Sequence, residues 1–359
     1  MKIFHVITLA DLGGAQSVVL NLTRKSIEDG HQVWVISEAN GPMWDQLPPQ
    51  VIQIRIKQLI RNIQPLKELM VLYKLRRSYR MHAPDVVHLH SSKIGILGRL
   101  AFPHRKIVYT IHGFDSIRIA FRKFLPIEKL LKTRAAKIVS VSHYDLNNLE
   151  KEGIKDNVAL IYNGVFDVKQ KISPRVHDNE TLASIKALKE SGSFVVMTIA
   201  RLSPPKRFDL FCEVARKLLN EKIQFVWIGN QRPVENVPSN VICLGEIDYA
   251  YRLLSYASLF LLLSDYEGLP MSILEALASG IPVLASKVGG IPEILNTRNG
   301  FSMENDAGSF ADKIHRYKDN PEAYTQSCLD ARMTFEESFT IDQMYQGYLK
   351  LYHQINKGS

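Results

Sequence analysis

Two carboxylates bracket a helix entrance in DYEGLPMSILEALASG (265–280). Glu267 stands in the loop before it, and Glu275 follows little more than a turn inside. Pro270 suits the first helical position, where its missing N–H costs nothing. The free backbone N–H groups of Met271, Ser272 and Ile273 then point outward from a positive helix end. Gly268, with Leu269 behind it, lets the chain approach a ligand closely. Such a mouth attracts anions and hydroxyl oxygens, and carboxylates accept hydrogen bonds from the vicinal hydroxyls of sugars and riboses. Early acids also complement the dipole of any helix. That explains either acid alone, but not the whole EGLP-x4-E arrangement after an apolar run ending at Ser264.

A second constellation is TIARLSPPKRFD (198–209), which sets Arg201 and Lys206 five residues apart after an apolar strand. Two cations there are placed to neutralise a diphosphate leaving group. A solvated basic turn gives the same pattern. Gly13 and Gly14, in TLADLGGAQSVVLNL, precede a helical run and would let the backbone near a phosphate or an acceptor. A plain tight turn is the more ordinary explanation for them, and they are not G-x-G-x-x-G. His112, in YTIHGFDSIR, follows a strand and is a candidate for a reaction centre, with Asp115 beside it; a lone histidine is also a common structural residue. No D-x-D with acidic neighbours and no His/Cys ligand cluster is evident, so no metal or other cofactor is expected.

These residues hang on an alternation of short β-rich runs and longer amphipathic segments. KIFHVI (2–7), QVWVIS (32–37), DVVHLH (85–90), KIVYTI (106–111), KIVSVS (137–142) and VALIY (158–162) read as strands, then FVVMTIA (194–200), IQFVWIG (223–229), NVICLG (240–245), LFLLLS (259–264) and IPVLAS (281–286). Parallel strands joined by helical crossovers give this pattern. It pauses in the polar stretch 166–192. The expected class is therefore α/β, with two doubly wound Rossmann-like domains at 1–167 and 168–340 facing a cleft. A helix within 341–359, with apolar Ile341, Met344, Tyr348 and Leu351, closes the chain or crosses back to the first domain.

The pattern E-G-L-P-x4-E-A-x-A-x-G-x-P-V, from Glu267 to Val283, resembles the E-x7-E signature of retaining glycosyltransferases of family 4, which have the GT-B fold. VGGIPEIL (288–295) and NTRNGFSMEND (296–306) are similar to the same family, and the likeness extends over essentially the whole chain. It implies metal-independent transfer of a sugar from a nucleotide-sugar donor. Glu275 would bind the donor's ribose and Glu267 the sugar hydroxyls, with backbone amides of Gly268 to Ser272 holding the sugar. It also implies that Gly13 and Gly14 face donor phosphates, that His112 lines the reaction centre, and that the base rests near 229–248. Glu128 matches an acid often found there in the family; a surface acid among basic neighbours is the other reading. Asn163-Gly164-Val165 resembles a structural turn of the family. Its usual G-R-L-x-x-x-K-G has Ala200 for the first glycine here and Arg207 for the last.

The net charge of +9 is uneven: residues 1–165 hold 24 Lys and Arg against 13 Asp and Glu, leaving 21 against 23 beyond. A basic first half suits an anionic partner. Residues 117–137 and 55–80 interleave cations with apolar side chains, which fits an anionic bilayer and equally an ordinary crossover helix with a solvated face. No nucleic-acid motif accompanies the charge. Three scattered cysteines, no long apolar run and no signal-like N-terminus lead to an expectation of a cytoplasmic protein, peripheral on the membrane if the basic face docks. The likeness suggests a lipid-linked glycan as acceptor, in surface polysaccharide assembly. A nucleotide-sugar epimerase and a non-catalytic nucleotide-sugar sensor are rival readings; a nicotinamide dehydrogenase lacks its fingerprint.

Overall fold

The computed structural model describes residues 1–168 and 179–357. The polar stretch 166–192, expected to separate the two domains near residue 168, lies in part on 169–178, outside the described residues. Packing divides the chain into two compact units, Met1–Gly164 with Ile341–Ser359, and Val165–Thr340.

The first unit holds seven parallel strands: β1 (Lys2–Val6), β2 (Gln32–Glu38), β3 (Ile52–Ile56), β4 (Val86–Leu89), β5 (Ile107–Ile111), β6 (Lys137–Ser140) and β7 (Val158–Leu160), in the order β3-β2-β1-β4-β5-β6-β7. Among the described residues, the second holds six: β8 (Phe194–Ile199), β9 (Ile223–Ile228), β10 (Val241–Cys243), β11 (Leu259–Leu262), β12 (Val283–Ser286) and β13 (Gly300–Met303), in the order β10-β9-β8-β11-β12-β13. Both are doubly wound parallel sheets with helices between strands. Each order reverses once, between β1 and β4 and between β8 and β11. The carboxyl ends of such strands frame ligand crevices.

Two strands escaped the sequence reading. β3, IQIRI, is an edge strand whose outward residues are polar and mostly exposed, so it lacks a continuous apolar run. β13, GFSM, opens on Gly300 at φ +150°, where a Cβ would lie 2.0 Å from the Val283 carbonyl oxygen; that position demands glycine and carries no strand propensity.

Pleating sorts the first sheet into two faces. Phe4, Val6, Val87, Leu89, Ile107, Tyr109 and Ile111 build one apolar core, whereas Ile7 and Val35 belong to a second core on the other side. The helix Ile341–Lys357 packs within this unit and buries Tyr345, Tyr352 and Ile355 besides the expected Ile341, Met344, Tyr348 and Leu351. At the Asn163-Gly164-Val165 turn, the Gly164 N–H donates to Met344 Sδ at 3.1 Å.

Candidate active site

The second unit gathers most of the expected residues at its topological switch point. The loop after β8 runs antiparallel to the end of β11: Lys206 bridges to Ser264, the Arg207 N–H donates to the Leu263 carbonyl at 3.0 Å, and the Asp265 N–H donates to the Pro205 carbonyl at 2.9 Å. This stitching carries the Lys206 ammonium to the Glu267 carboxylate. The same Oε1 accepts the Ser264 hydroxyl at 2.6 Å. Glu267 Oε2 takes no hydrogen bond among the described residues, and the side chain keeps a narrow opening to solvent. One carboxylate oxygen thus holds the loop while the other is available to a hydroxyl donor.

The backbone of Glu267 is braced from behind by the turn after β12. The Gly290 N–H donates to the Gly268 carbonyl at 2.9 Å. Gly289 sits at φ +56°, and a Cβ on it would lie 1.9 Å from the Glu267 carbonyl oxygen. Only glycine fits there. A third layer of contacts fixes the strand end: the Ser264 N–H donates to Ser286 Oγ at 2.8 Å, Ser286 Oγ donates to Asn305 Oδ1 at 2.5 Å, and Asn305 Nδ2 returns to the Ser264 carbonyl at 3.1 Å.

The helix itself spans Met271–Ala278, so Pro270 is its N-cap and not its first residue. Its φ of −69° and ψ of 123° are those of extended chain, and no side chain caps the end. Gly268, Leu269, Pro270 and Met271 are buried and Ser272 is partly exposed. Glu275 is partly exposed as a residue, yet its carboxyl sits where loss of solvation pushes its pKa up to about 8. No cation and no hydrogen-bond donor meets it among the described residues. An unpaired acid whose pKa is raised by poor solvation is a common mark of a functional site.

Arg201, at the carboxyl end of β8, is exposed and forms no ion pair or hydrogen bond among the described residues. Gly229 lies against its main chain at φ +115°, where a Cβ would come 2.5 Å from the Ala200 carbonyl oxygen. The loops expected to meet the base are stitched together: the Gly229 N–H donates to the Gly245 carbonyl at 2.7 Å, and the Gly245 N–H donates to Asn230 Oδ1 at 2.8 Å.

The remaining expected residues lie in the first unit. Gly13 precedes the helix Gly14–Glu28, which has no side-chain N-cap and no acid in its first turn. Its leading backbone N–H groups are therefore free of an internal anion. His112 follows β5 and is partly exposed; burial of its ring pulls its pKa down to about 4. Its Nε2 faces His90 Nδ1 at 3.4 Å, and its Nδ1 has no partner among the described residues. Asp115 is taken up by Arg118 at 2.7 Å and by the Tyr144 hydroxyl at 2.8 Å. Glu128 is neither a site acid nor a surface acid. It is buried in an ion pair with Arg99, whose guanidinium also covers the Tyr109 ring at 4.7 Å.

Several residues of the site were invisible to spacing arguments. Ser264, Ser286, Asn305 and Gly289 act through contacts between loops distant in sequence. His5, His88 and His90 did leave a signal: a histidine inside an apolar strand, in FHV and VHLH, must find a partner.

Residues 12–167 match the profile of the family described as Glycosyltransferase Family 4, and residues 193–320 match that of Glycosyl transferases group 1. The UDP-Gal:alpha-D-GlcNAc-diphosphoundecaprenol alpha-1,3-galactosyltransferase of Escherichia coli is 29% identical over 345 residues, covering 89% of this chain and 88% of that one. The N-acetyl-alpha-D-glucosaminyl L-malate synthase of Bacillus anthracis is 23% identical, covering 96% and 94%. Among solved structures, Anabaena Alr3699/HepE in complex with UDP-glucose superposes with a TM-score of 0.82 at 20% identity, covering 99% of this chain and 100% of that one. A glycosyltransferase from Rickettsia africae gives 0.80 at 20% identity, covering 100% and 99%. These structures share the GT-B fold with this chain.

Proposed function

The chain belongs to the family 4 glycosyltransferases, and from that premise we propose a metal-independent, retaining transfer of a sugar from a nucleotide-sugar donor to a lipid-linked glycan in surface polysaccharide synthesis. The observation that carries the donor assignment is the mouth of the helix Met271–Ala278, where Lys206 holds Glu267 beside an uncapped helix end and Glu275, its carboxyl poorly solvated, has no partner among the described residues. In this reading the ribose hydroxyls meet Glu275, the sugar hydroxyls meet Glu267 Oε2, and the diphosphate faces Arg201, Lys206 and backbone amides. Those cations and amides supply the positive field that a departing diphosphate requires, so EDTA should leave turnover unchanged.

Glu267 already accepts from Lys206 and Ser264 through one oxygen, which suits a hydrogen-bond acceptor better than a nucleophile. Transfer then proceeds on one face of the sugar. The bond from the anomeric carbon to phosphate breaks, the acceptor oxygen bonds to that carbon, and the leaving phosphate takes the acceptor's proton. An inverted anomeric signal in the NMR spectrum of the product would overturn this.

The lipid-linked acceptor draws support from the Escherichia coli relative, whose substrate is a diphosphoundecaprenol-linked sugar. It also draws on the helix Pro65–His82 of the first unit. There Leu66, Leu69 and Tyr73 are 79%, 63% and 65% exposed, with Arg76, Arg77 and Arg80 on the same helix. No helix of the described residues is long and apolar enough to cross a membrane. Cations near an anionic surface contribute about 1 kcal/mol each, so binding to anionic vesicles should exceed binding to neutral ones and weaken with salt. The stretch 117–137 contributes less, because Arg118, Lys129, Lys132 and Arg134 are engaged by the protein itself.

Thermal unfolding with UDP-, GDP- and ADP-sugars tests the donor assignment. A true donor at a hundred times its Kd adds about 2.7 kcal/mol of stability. Glu275→Gln should lose that gain. If no nucleotide-sugar stabilises the protein, or if Glu275→Gln binds donor and turns over like the natural chain, the assignment fails.

A further inference from the structure

One face of the first sheet carries a line of imidazoles, of which only the last, His112, is expected at the reaction centre. Pleating brings His5 of β1, His88 of β4 and His90 just beyond it, and Thr110 and His112 at the end of β5 to one side. These three strands are neighbours, with His5 in register with His88. His5, His88 and His90 are fully buried. His5 Nδ1 lies 3.0 Å from His90 Nε2, and His90 Nδ1 lies 3.4 Å from His112 Nε2. The two ends of this chain, His5 Nε2 and His112 Nδ1, are buried nitrogens with no partner among the described residues. His88 flanks it, its ring centroid 3.7 Å from that of His90. It is saturated by the Tyr352 hydroxyl at 2.6 Å and the Thr110 hydroxyl at 2.7 Å, and Thr110 is linked in turn to Tyr348 at 3.0 Å.

Burial keeps these rings neutral, with His5 pulled down to about 3 and His112 to about 4. A neutral imidazole carries one N–H. Three rings joined by two nitrogen–nitrogen hydrogen bonds therefore hold three protons, and each bond uses one. The third must sit at an end. If it sat on His5 Nε2, a donor would be orphaned in the fully buried interior, the costlier kind of unmet polar group. If it sits on His112 Nδ1, His5 keeps only a bare acceptor; the donor there also lacks a protein partner among the described residues, but it is on the one ring of the three that is partly open, so a substrate oxygen is what remains to satisfy it.

We propose that His90 and His5 are positioning residues for His112, holding it as the Nδ1–H tautomer so that it presents a neutral donor to a phosphoryl or hydroxyl oxygen of the substrates. In water a neutral imidazole prefers Nε2–H, so the buried pair would reverse the intrinsic choice. This rests on the assignment of His112 to the reaction centre. The nitrogens of His5, His88 and His90 also lie within 4.8 Å of one another, as a metal site requires. A metal there would have to break the His5–His90 bond or strip His88 of a hydroxyl partner, so the geometry favours the hydrogen-bonded chain.

The test is nitrogen NMR of the full chain with ¹⁵N-labelled histidine, resonances assigned by His5→Phe, His90→Phe and His112→Asn. The natural chain should show His112 protonated at Nδ1. His90→Phe should move that proton to Nε2 and lower turnover about ten- to a hundred-fold, the range found when the partner that orients a metal-bound imidazole is lost. His90→Gln, whose amide still donates, should retain the natural tautomer and most of the activity. A wild-type His112 protonated at Nε2, a tautomer indifferent to His90→Phe, or a stoichiometric bound transition metal would each overturn the proposal. The wild-type spectrum decides even if the variants fold poorly. Because the readout needs no substrate, a tautomer that depends on His90 while nucleotide-sugars leave His112 undisturbed would overturn instead the placing of His112 at the reaction centre.

Discussion

The mouth of the helix Met271–Ala278 and the imidazole row of the first sheet are two ways of keeping polar groups ready in a dry place. The helix mouth uses full charges. Lys206 and Glu267 compensate each other, and backbone from three loops locks them in position. The imidazole row avoids charge, with rings that satisfy one another as neutral donors and acceptors. An ion pair tolerates a change of pH but depends on both partners and on the loops that carry them. A neutral buried row tolerates loss of distant loops but not the arrival of a proton.

Mild acid should separate the two most strongly. The folded pKa values of His5, His88 and His90 lie below the unfolded value of 6.5. Their neutral burial is therefore without proton penalty above pH 6.5, and stability falls as pH drops below it. Each proton bound only by the unfolded chain costs about 1.4 kcal/mol per pH unit. His88 and His90 act in the same direction as His5, so the three losses add as pH falls below 6.5. Chemical denaturation followed by Trp34 and Trp44 in the first unit and Trp227 in the second should show the first unit failing earlier as pH falls. Equal acid sensitivity of the two units would break the comparison.

Gly289→Ala attacks the other side. The added Cβ would have to displace the Glu267 carbonyl, from a backbone conformation that side chains rarely adopt. Displacing a positioned group by about 1 Å can cost about 10²-fold in rate, so kcat/KM should fall by that order while the acid response of the first unit is unaltered. Lys206→Met should be next in size. It removes a cation from the proposed diphosphate site and leaves Glu267 partly buried without its counter-charge; a single electrostatic donor in a transition-state site is worth about 10²-fold. Lys206→Arg should restore a measurable part. A Lys206→Met enzyme with normal turnover would remove the charge-based account of the helix mouth.

What was legible in the chain follows the same division. The β–α alternation announced two doubly wound sheets, because buried parallel strands are short apolar runs between amphipathic helices. It missed β3, whose Gln53 and Arg55 belong to an exposed edge, and β13, which begins on a glycine chosen for steric clearance. The acids of E-x7-E and the cations of RLSPPK were legible as types at a spacing. Their pairing was not, because the Lys206–Glu267 contact spans 61 residues and arises from the antiparallel seam between two loops. Nor could spacing reveal that Gly289 leans on Glu267, since that requires β12 beside β11. The histidines could have been suspected from their place in apolar strands, but linking His5 to His90 needs the order β1-β4-β5. Glu128 shows the reverse error: a charged residue in a basic stretch, read as surface or site, is a buried partner of Arg99.

The smallest expected effect is also the most diagnostic, because it has opposite signs in two measurements. Glu275 is the one acid of the helix mouth left without a counter-charge, and its folded pKa of about 8 lies above the usual 4.5. A raised carboxyl pKa means that the fold disfavours the ionised form. The penalty is absent below about pH 4.5, grows as pH rises, and levels off above about 8. Glu275→Gln removes it, so the ligand-free variant should be more stable than the natural chain at pH 8 and indistinguishable at pH 4. Allowing for the partial exposure of the residue, the gain should be about 1 kcal/mol, or about 2–4 °C in Tm for a domain of this size. Donor affinity should move the other way, since an amide cannot accept from two ribose hydroxyls as a carboxylate does. A stabilised apo-protein with weakened donor binding marks an acid kept at the fold's expense for its ligand. A variant that loses stability at pH 8 would show that Glu275 is compensated within the protein, and the contrast between a charged site fully neutralised and one deliberately left open would go with it.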